Sequence, residues 1–293
     1  MEPLFEHRME FAGCETRVLE LEGRGDPIVL LHGWSDSADT WRCVLARLGR
    51  EERRAVAVDL PGFGTADRLA DGPMLPQLDA FAAAALAYAG GGAARGRRRR
   101  AAQGIVVGNS LGGCVALRLA ERAPAQVGRV VALAPAGLDM ARWLALIEHD
   151  RVLRVLVHAP VPFPSRVVQS AVARAYRSLA FADPGAVEPG IARTFAKHHP
   201  DRGALVRMLA SGRRLLPELR DPFDFDAIRC QVQLVWGDCD RLVFHRGAQR
   251  LLAAVPGTTL DVIERCGHSP HIEHPERVAA LLLSDGPSLA QAA

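Results

Sequence analysis

Val106-Val107-Gly108-Asn109-Ser110-Leu111-Gly112-Gly113 decides how this chain reads. Residues 105–107 form an apolar run that reads as a short buried strand. Gly108 and Gly112 then flank Ser110 in a G-x-S-x-G pattern, and residues 111–122 carry Val115 and Leu119 at helical core spacing. Strand, tight turn and helix in that order are the context of a nucleophile elbow, where a serine on a strained turn lifts its hydroxyl above the sheet edge. Small residues two before and two after the serine let the helix approach the strand. A Gly-rich turn with a surface serine has the same local pattern, so the rest of the chain must decide between the two readings.

Outward on the N-terminal side, residues 5–11 and 16–21 read as two strands joined at Gly13, an antiparallel hairpin. Residues 27–31 and 55–58 are continuous apolar runs, as expected of strands buried on both faces. The first ends in His32-Gly33-Trp34 and the second in Asp59-Leu60-Pro61-Gly62-Phe63-Gly64. Helices are expected at 40–48 and 75–89. Residues 90–104 are low in complexity, with Gly90, Gly91 and Gly92 followed by Arg95, Arg97, Arg98, Arg99 and Arg100. Such a charge run reads first as a solvated loop, and second as a nucleic-acid or anionic-membrane contact.

Outward on the C-terminal side, residues 129–133 form another buried strand. Strands alternating with helices argue an α/β protein with a mostly parallel sheet and helices on both faces. The pattern changes at residues 137–220, where strand-like runs stop. Amphipathic helical segments appear there at 140–147, 167–179 and 204–215, punctuated by prolines. We read 137–220 as an inserted helical cap, and 1–136 with 221–293 as the core. The core resumes with a strand at 232–236, then Gly237-Asp238-Cys239-Asp240, a helix at 246–254, a strand at 259–263 and Cys266-Gly267-His268. Pro275 stands at the expected first position of the last helix, which runs to about residue 283.

Composition narrows the function classes. A net charge of +3 does not suggest a nucleic-acid binder. No apolar run reaches the roughly 20 residues that span a bilayer. The start of the chain lacks a basic stretch followed by an apolar one, so a cytoplasmic protein is expected. Lys197 is the one lysine, and the arginine excess reads as coding bias. The cysteines Cys14, Cys43, Cys114, Cys230, Cys239 and Cys266 form no C-x-x-C pair and meet no histidine at zinc spacing, so no metal and no cofactor are expected. Free thiols are the default; a Cys239–Cys266 disulfide is a lesser alternative, should their loops meet.

Ser110, Asp240 and His268 fall after three core strands, in the order Ser, Asp, His. Sites in open parallel sheets form at this carboxyl edge. A serine hydroxyl needs an adjacent base, an imidazole can supply it, and a carboxylate on the far ring nitrogen fixes the tautomer. Asp238 and Asp139 also follow core strands and compete for the acid position. Asp238, directly after Gly237, is better suited to bonding turn amides.

The blocks Leu31-His32-Gly33-Trp34, Asp59 to Gly64, Gly108 to Gly113, Trp236 to Asp240, and Gly267-His268-Ser269-Pro270 with Glu273 and Pro275 resemble the α/β-hydrolase family, over nearly the whole chain. The resemblance implies Ser110, His268 and Asp240 as triad, and an oxyanion hole from the backbone N–H groups of Trp34 and Leu111. It makes His32 a brace for its loop, with Gly33, Gly108 and Gly112 as structural glycines. The Trp34 side chain is expected either to line the acyl pocket or to pack. A serine at the elbow disfavours the aspartate-nucleophile relatives and points to hydrolysis of a small-molecule ester. The alternative is a carbon–carbon hydrolase of vinylogous keto acids, which Gly108-Asn109-Ser110 resembles and the loop after Gly33, lacking Gly-Pro-Gly, does not. A non-catalytic ligand-binding protein on the same fold is the third reading. Trp143, Phe163 and Phe181 are candidates to cover the site from the cap. Oligomeric state stays open.

Overall fold

The computed structural model describes residues 4–91, 103–148, 164–185 and 189–284. Strands β1 (Leu4–Phe11), β2 (Cys14–Leu21), β3 (Arg24–Leu31), β4 (Arg53–Val58), β5 (Gly104–Asn109), β6 (Val127–Leu133), β7 (Gln231–Gly237) and β8 (Thr259–Ile263) form one sheet. Its order is β1-β2-β4-β3-β5-β6-β7-β8. β1 and β2 are antiparallel, as are β2 and β4; every other pair is parallel. The turn at Ala12 and Gly13, both at positive φ, makes the expected hairpin. Successive side chains of a strand point to opposite faces. Val29 and Leu31 therefore enter one core layer, under α2 (Leu75–Ala89) and α3 (Leu111–Arg122), while Ile28 and Leu30 enter the other. That second layer is closed by Val44, Leu45 and Leu48 of α1 (Arg42–Arg50) and by Val278 and Leu282 near the C-terminal end of the described chain.

Between β6 and β7 the chain makes a helical insert, with α4 (Ser165–Ala180), α5 (Pro189–Lys197) and α6 (Arg202–Glu218). The Asp201 carboxylate caps α6 by accepting from the Ala204 amide at 2.8 Å. After β7 come α7 (Ala248–Ala254), the single turn α8 (Pro270–Glu273) and α9 (Pro275–Leu283), with Pro275 opening the last helix as expected.

Several expectations need correction. The segment at 140–147 is not an amphipathic helix. It is a 3-10 turn, Arg142–Ile147, that buries no side chain and leaves Trp143 40% and Leu146 69% exposed. The reason is competition for the backbone: Ala141 N–H donates to Leu242 O at 2.8 Å and Phe244 N–H to Asp139 O at 2.8 Å, which holds the start of the segment extended. The helix expected at 40–48 begins as a 3-10 turn, Ala38–Trp41, before α1. α5 and α8 were not anticipated, and β3 starts three residues earlier than its apolar run, at Arg24. The arginine run at 95–100 and Phe163 lie outside the described residues.

Candidate active site

Parallel register brings the loops together. Leu31 pairs with Gly108, Asn109 with Leu133, Leu133 with Val235, and Gly237 with Ile263. The loops carrying Trp34, Ser110, Asp240 and His268 thus leave the sheet at one edge. Ser110 sits at φ 54, a region that costs a non-glycine residue about 1–3 kcal/mol unless its surroundings over-determine it. They do. The Ser110 N–H donates to Leu133 O at 2.8 Å, and its carbonyl accepts from Cys114 N at 2.9 Å and Ala136 N at 3.0 Å. The flanking glycines are required by contact: a Cβ on Gly108 would stand 2.1 Å from the Gly112 carbonyl carbon, and one on Gly112 2.2 Å from Leu31 O.

Of the three candidate carboxylates, Asp240 is the one that meets His268. His268 Nδ1 donates to Asp240 Oδ2 at 2.7 Å, and both side chains are buried. Asp240 Oδ1 accepts from the Leu242 and Val243 amides at 2.8 and 3.1 Å, which fixes the carboxylate. Asp238 Oδ1 accepts from the Cys266 amide at 3.3 Å, a turn-bonding role as anticipated. Asp139 is ion-paired to Arg246 at the surface. Among the described residues no hydrogen bond joins the Ser110 hydroxyl to His268; bonds of this kind are often loose until substrate is present. The backbone N–H groups of Trp34 and Leu111 likewise have no acceptor among the described residues.

His32 is a brace. The Leu60 amide donates to its Nε2 at 2.8 Å, so the proton is on Nδ1, which donates to Gly33 O at 2.7 Å. Complete burial pushes its pKa down to about 4, so it stays neutral. The adjoining loop is held by Asp59. Burial alone would raise its pKa, but the Arg17 guanidinium, with Nε at 3.1 Å, and the Ala38 amide at 2.7 Å hold it low. A Cβ on Gly64 would collide with that carboxylate, which explains the glycine closing the Asp59 to Gly64 block.

The alpha/beta hydrolase family model matches residues 28–281. The chain belongs to the alpha/beta hydrolase family. It is 27% identical to a 2-hydroxymuconate semialdehyde hydrolase of Pseudomonas putida, over 92% of this chain and 90% of that protein. It is 34% identical to an esterase of Mycobacterium tuberculosis, over 49% of this chain and 44% of that one. Among solved structures, the 2-hydroxy-6-oxo-6-phenylhexa-2,4-dienoate hydrolase of a Rhodococcus species superposes with a TM-score of 0.76 at 19% identity, covering 97% of this chain and 98% of that one. The fold of this hydrolase, a mostly parallel sheet with a helical insert, is therefore that of the family.

The sequence reading missed the groups that hold the loops in register. Asn109 Nδ2 donates to His268 O at 2.9 Å, tying the residue before the serine to the histidine turn. Glu273 Oε1 accepts from Gly267 N at 2.7 Å and Oε2 from Ala182 N at 2.9 Å; burial raises its pKa. His268 N–H donates to Ala180 O at 2.8 Å, so the insert backbone carries the histidine turn. The Trp34 side chain is half-buried against the insert: Nε1 donates to Ser211 Oγ at 3.0 Å, and the ring lies against Gly212 of α6. Phe181 is buried, edge-on to Tyr176 at 5.3 Å. Cys239 and Cys266 are free thiols: an amide–carbonyl bond of 2.9 Å joins their backbones, but the Cys266 thiol turns toward Glu273. No described helix is long and apolar enough to cross a membrane, and no described cluster of His, Cys, Asp and Glu could hold a metal.

Proposed function

We propose that this chain is a serine hydrolase that cleaves small-molecule carboxylic esters through an acyl-enzyme. The observation that carries the reading is the 2.7 Å contact between His268 Nδ1 and Asp240 Oδ2, in a turn tied by Asn109 to the strained elbow at Ser110. Ser110 Oγ attacks the ester carbonyl as His268 Nε2 takes its proton. The oxygen that gains charge lies between the Trp34 and Leu111 amides. His268 then protonates the leaving alcohol, afterwards removes a proton from the water that attacks the acyl carbonyl, and gives that proton to Ser110 Oγ as the acid is released. Asp240 holds the imidazole tautomer and stabilises the imidazolium. Residues 1–136 with 221–293 supply this machinery, and the insert, 137–220, serves as the cap that selects the acyl chain.

The esterase relative supports this reading. The 2-hydroxymuconate semialdehyde hydrolase relative supports a second one, carbon–carbon cleavage of a vinylogous keto acid. The ester is preferred because the loop after Gly33 carries Trp34-Ser35-Asp36-Ser37 in place of Gly-Pro-Gly. A fluorophosphonate probe on the wild type and on Ser110→Ala, beside a panel of esters of graded chain length and one vinylogous keto acid, tests both. Labelling lost in Ser110→Ala together with ester turnover is the expected result. Turnover of the keto acid alone replaces the first reading with the second, and a wild type that labels at another serine overturns the site.

A further inference from the structure

The loop that leaves β3 is held by the insert at three consecutive residues, each by a different part of it. Trp34 Nε1 reaches Ser211 on α6 at 3.0 Å. Ser35 Oγ is hydrogen-bonded with His199, just after α5, at 2.9 Å. Asp36 Oδ2 accepts from the Tyr176 hydroxyl on α4 at 3.3 Å. The histidine turn is held by the same region, through Ala180 O and the Ala182 amide. Tyr176 stands one turn before Ala180 on α4, so the helix whose end receives the His268 amide also reaches the loop after β3 through the tyrosine hydroxyl.

We propose that Tyr176 is a positioning residue for the ester hydrolysis proposed above. Its hydroxyl couples the loop at 34–36 to α4, whose Ala180 carbonyl holds the His268 amide, and so sets the Trp34 amide against the His268 ring.

Three features make this coupling mechanical. First, the ring has little freedom: it stacks on Phe195 at 3.8 Å with planes 6° apart, and meets Phe181 edge-on. Second, Ser35 stands at φ 66, a conformation that persists in a non-glycine residue only where neighbours enforce it, so the loop depends on these outside bonds. Third, Asp36 is buried, and among the described residues its carboxyl has only the Ser37 amide, at 2.9 Å, and the Tyr176 hydroxyl as partners. Burial, against those two bonds and with Asp59 and Asp39 adding negative charge, pushes its pKa up to about 7. Removing the tyrosine hydroxyl leaves a buried carboxyl oxygen unpaired, and the loop must shift to satisfy it. The Trp34 amide lies two residues away on that loop. A displaced oxyanion donor lowers the rate of the chemical step and leaves ground-state binding nearly alone.

The test uses the full chain with Tyr176→Phe, Asp36→Ala and the double variant, read by kcat and KM on a short ester and by the rate of fluorophosphonate labelling at Ser110. Each single change is expected to lower kcat about 10–100-fold, the scale of a small misplacement of one donor. KM should move less than about threefold. Because both variants cut the same link, the double variant should lose no more than the worse single one; independent structural damage would multiply instead. A Tyr176→Phe enzyme with kcat within about twofold of wild type, or losses that multiply, overturns the positioning role while the wild type still turns over esters. If Tyr176→Phe fails to fold, Asp36→Ala decides: unaltered kcat in that folded variant overturns the proposal. A wild type that neither hydrolyses esters nor labels at Ser110 removes the ester reading, and this one with it.

Discussion

Asp240→Asn probes the acid leg of the site with almost no change of shape. The two carboxylate oxygens do different jobs: Oδ1 accepts from the Leu242 and Val243 amides at 2.8 and 3.1 Å, and Oδ2 accepts from His268 Nδ1 at 2.7 Å. An asparagine in this place cannot choose its orientation freely. Turning its NH2 toward the two amides would leave both donors unpaired, at about 1–3 kcal/mol each. The carbonyl therefore stays on the amides and the NH2 faces His268. Facing a donor, Nδ1 must give up its proton, and Nε2 carries it instead. An imidazole protonated at Nε2 cannot accept the Ser110 proton. In a comparable triad this substitution costs roughly 10⁴ in turnover. At about 1.36 kcal/mol per decade, that is about 5.4 kcal/mol of barrier. The turn keeps both amide bonds, so thermal unfolding should move by only a few degrees. Steady-state kcat on an activated ester, with a melting curve of the same sample, measures both quantities. A loss of less than about tenfold in Asp240→Asn, with Asp139→Asn inactive, would refute the argument, since the tautomer mechanism permits nothing so mild.

Ser110→Gly should melt higher than Ser110→Ala, because glycine relieves the φ 54 strain that alanine keeps; equal melting temperatures would mean that no strain is stored there. Gly108→Ala places a Cβ 2.1 Å from the Gly112 carbonyl carbon and should cost at least about 1–3 kcal/mol in urea unfolding, with loss of activity through a displaced elbow. Asp36, pushed up to about 7, binds its proton in the folded state where the unfolded chain has released it. Stability should therefore fall as pH rises from about 4 to about 7, by up to about 4 kcal/mol, and Asp36→Asn should remove that slope; an unchanged urea-midpoint profile would count against it. His271, pushed down to about 3 by burial, has the opposite sign: the unfolded chain takes the proton below about 6.5, so stability falls on acidification toward 3, and His271→Leu should flatten that limb.

The sheet was legible in the sequence because its central strands are apolar runs bounded by turn residues, and the elbow was legible because steric demand there leaves only glycine. The contacts that hold the site were not, and the reason differs by residue. Tyr176 and Ser211 lie on insert helices, and His199 just after one, and the approach of these helices to the core follows no fixed spacing. Asn109 and Glu273 act through backbone groups of distant turns, and a backbone partner leaves no mark in the sequence. The segment at 140–147 misled for a related reason: its helical periodicity is real, but bonds to residues 242–244 claim the backbone first.

The bond from the His268 amide to Ala180 O joins backbone to backbone, across the boundary between the insert and the core. It depends on the path of the insert chain and not on which side chains that chain carries. Exchanging inserts between hydrolases is a route to new substrate ranges, and here the route has a toll at one point. A donor insert may bring any residues to 180–182, but it must run past Gly267 close enough to offer a carbonyl, where a Cβ on Gly267 would already stand 2.7 Å from Ala180 O. Chimeras joined on either side of that crossing should inherit a working histidine turn. Those that reroute the chain there should fold and bind, yet turn over slowly.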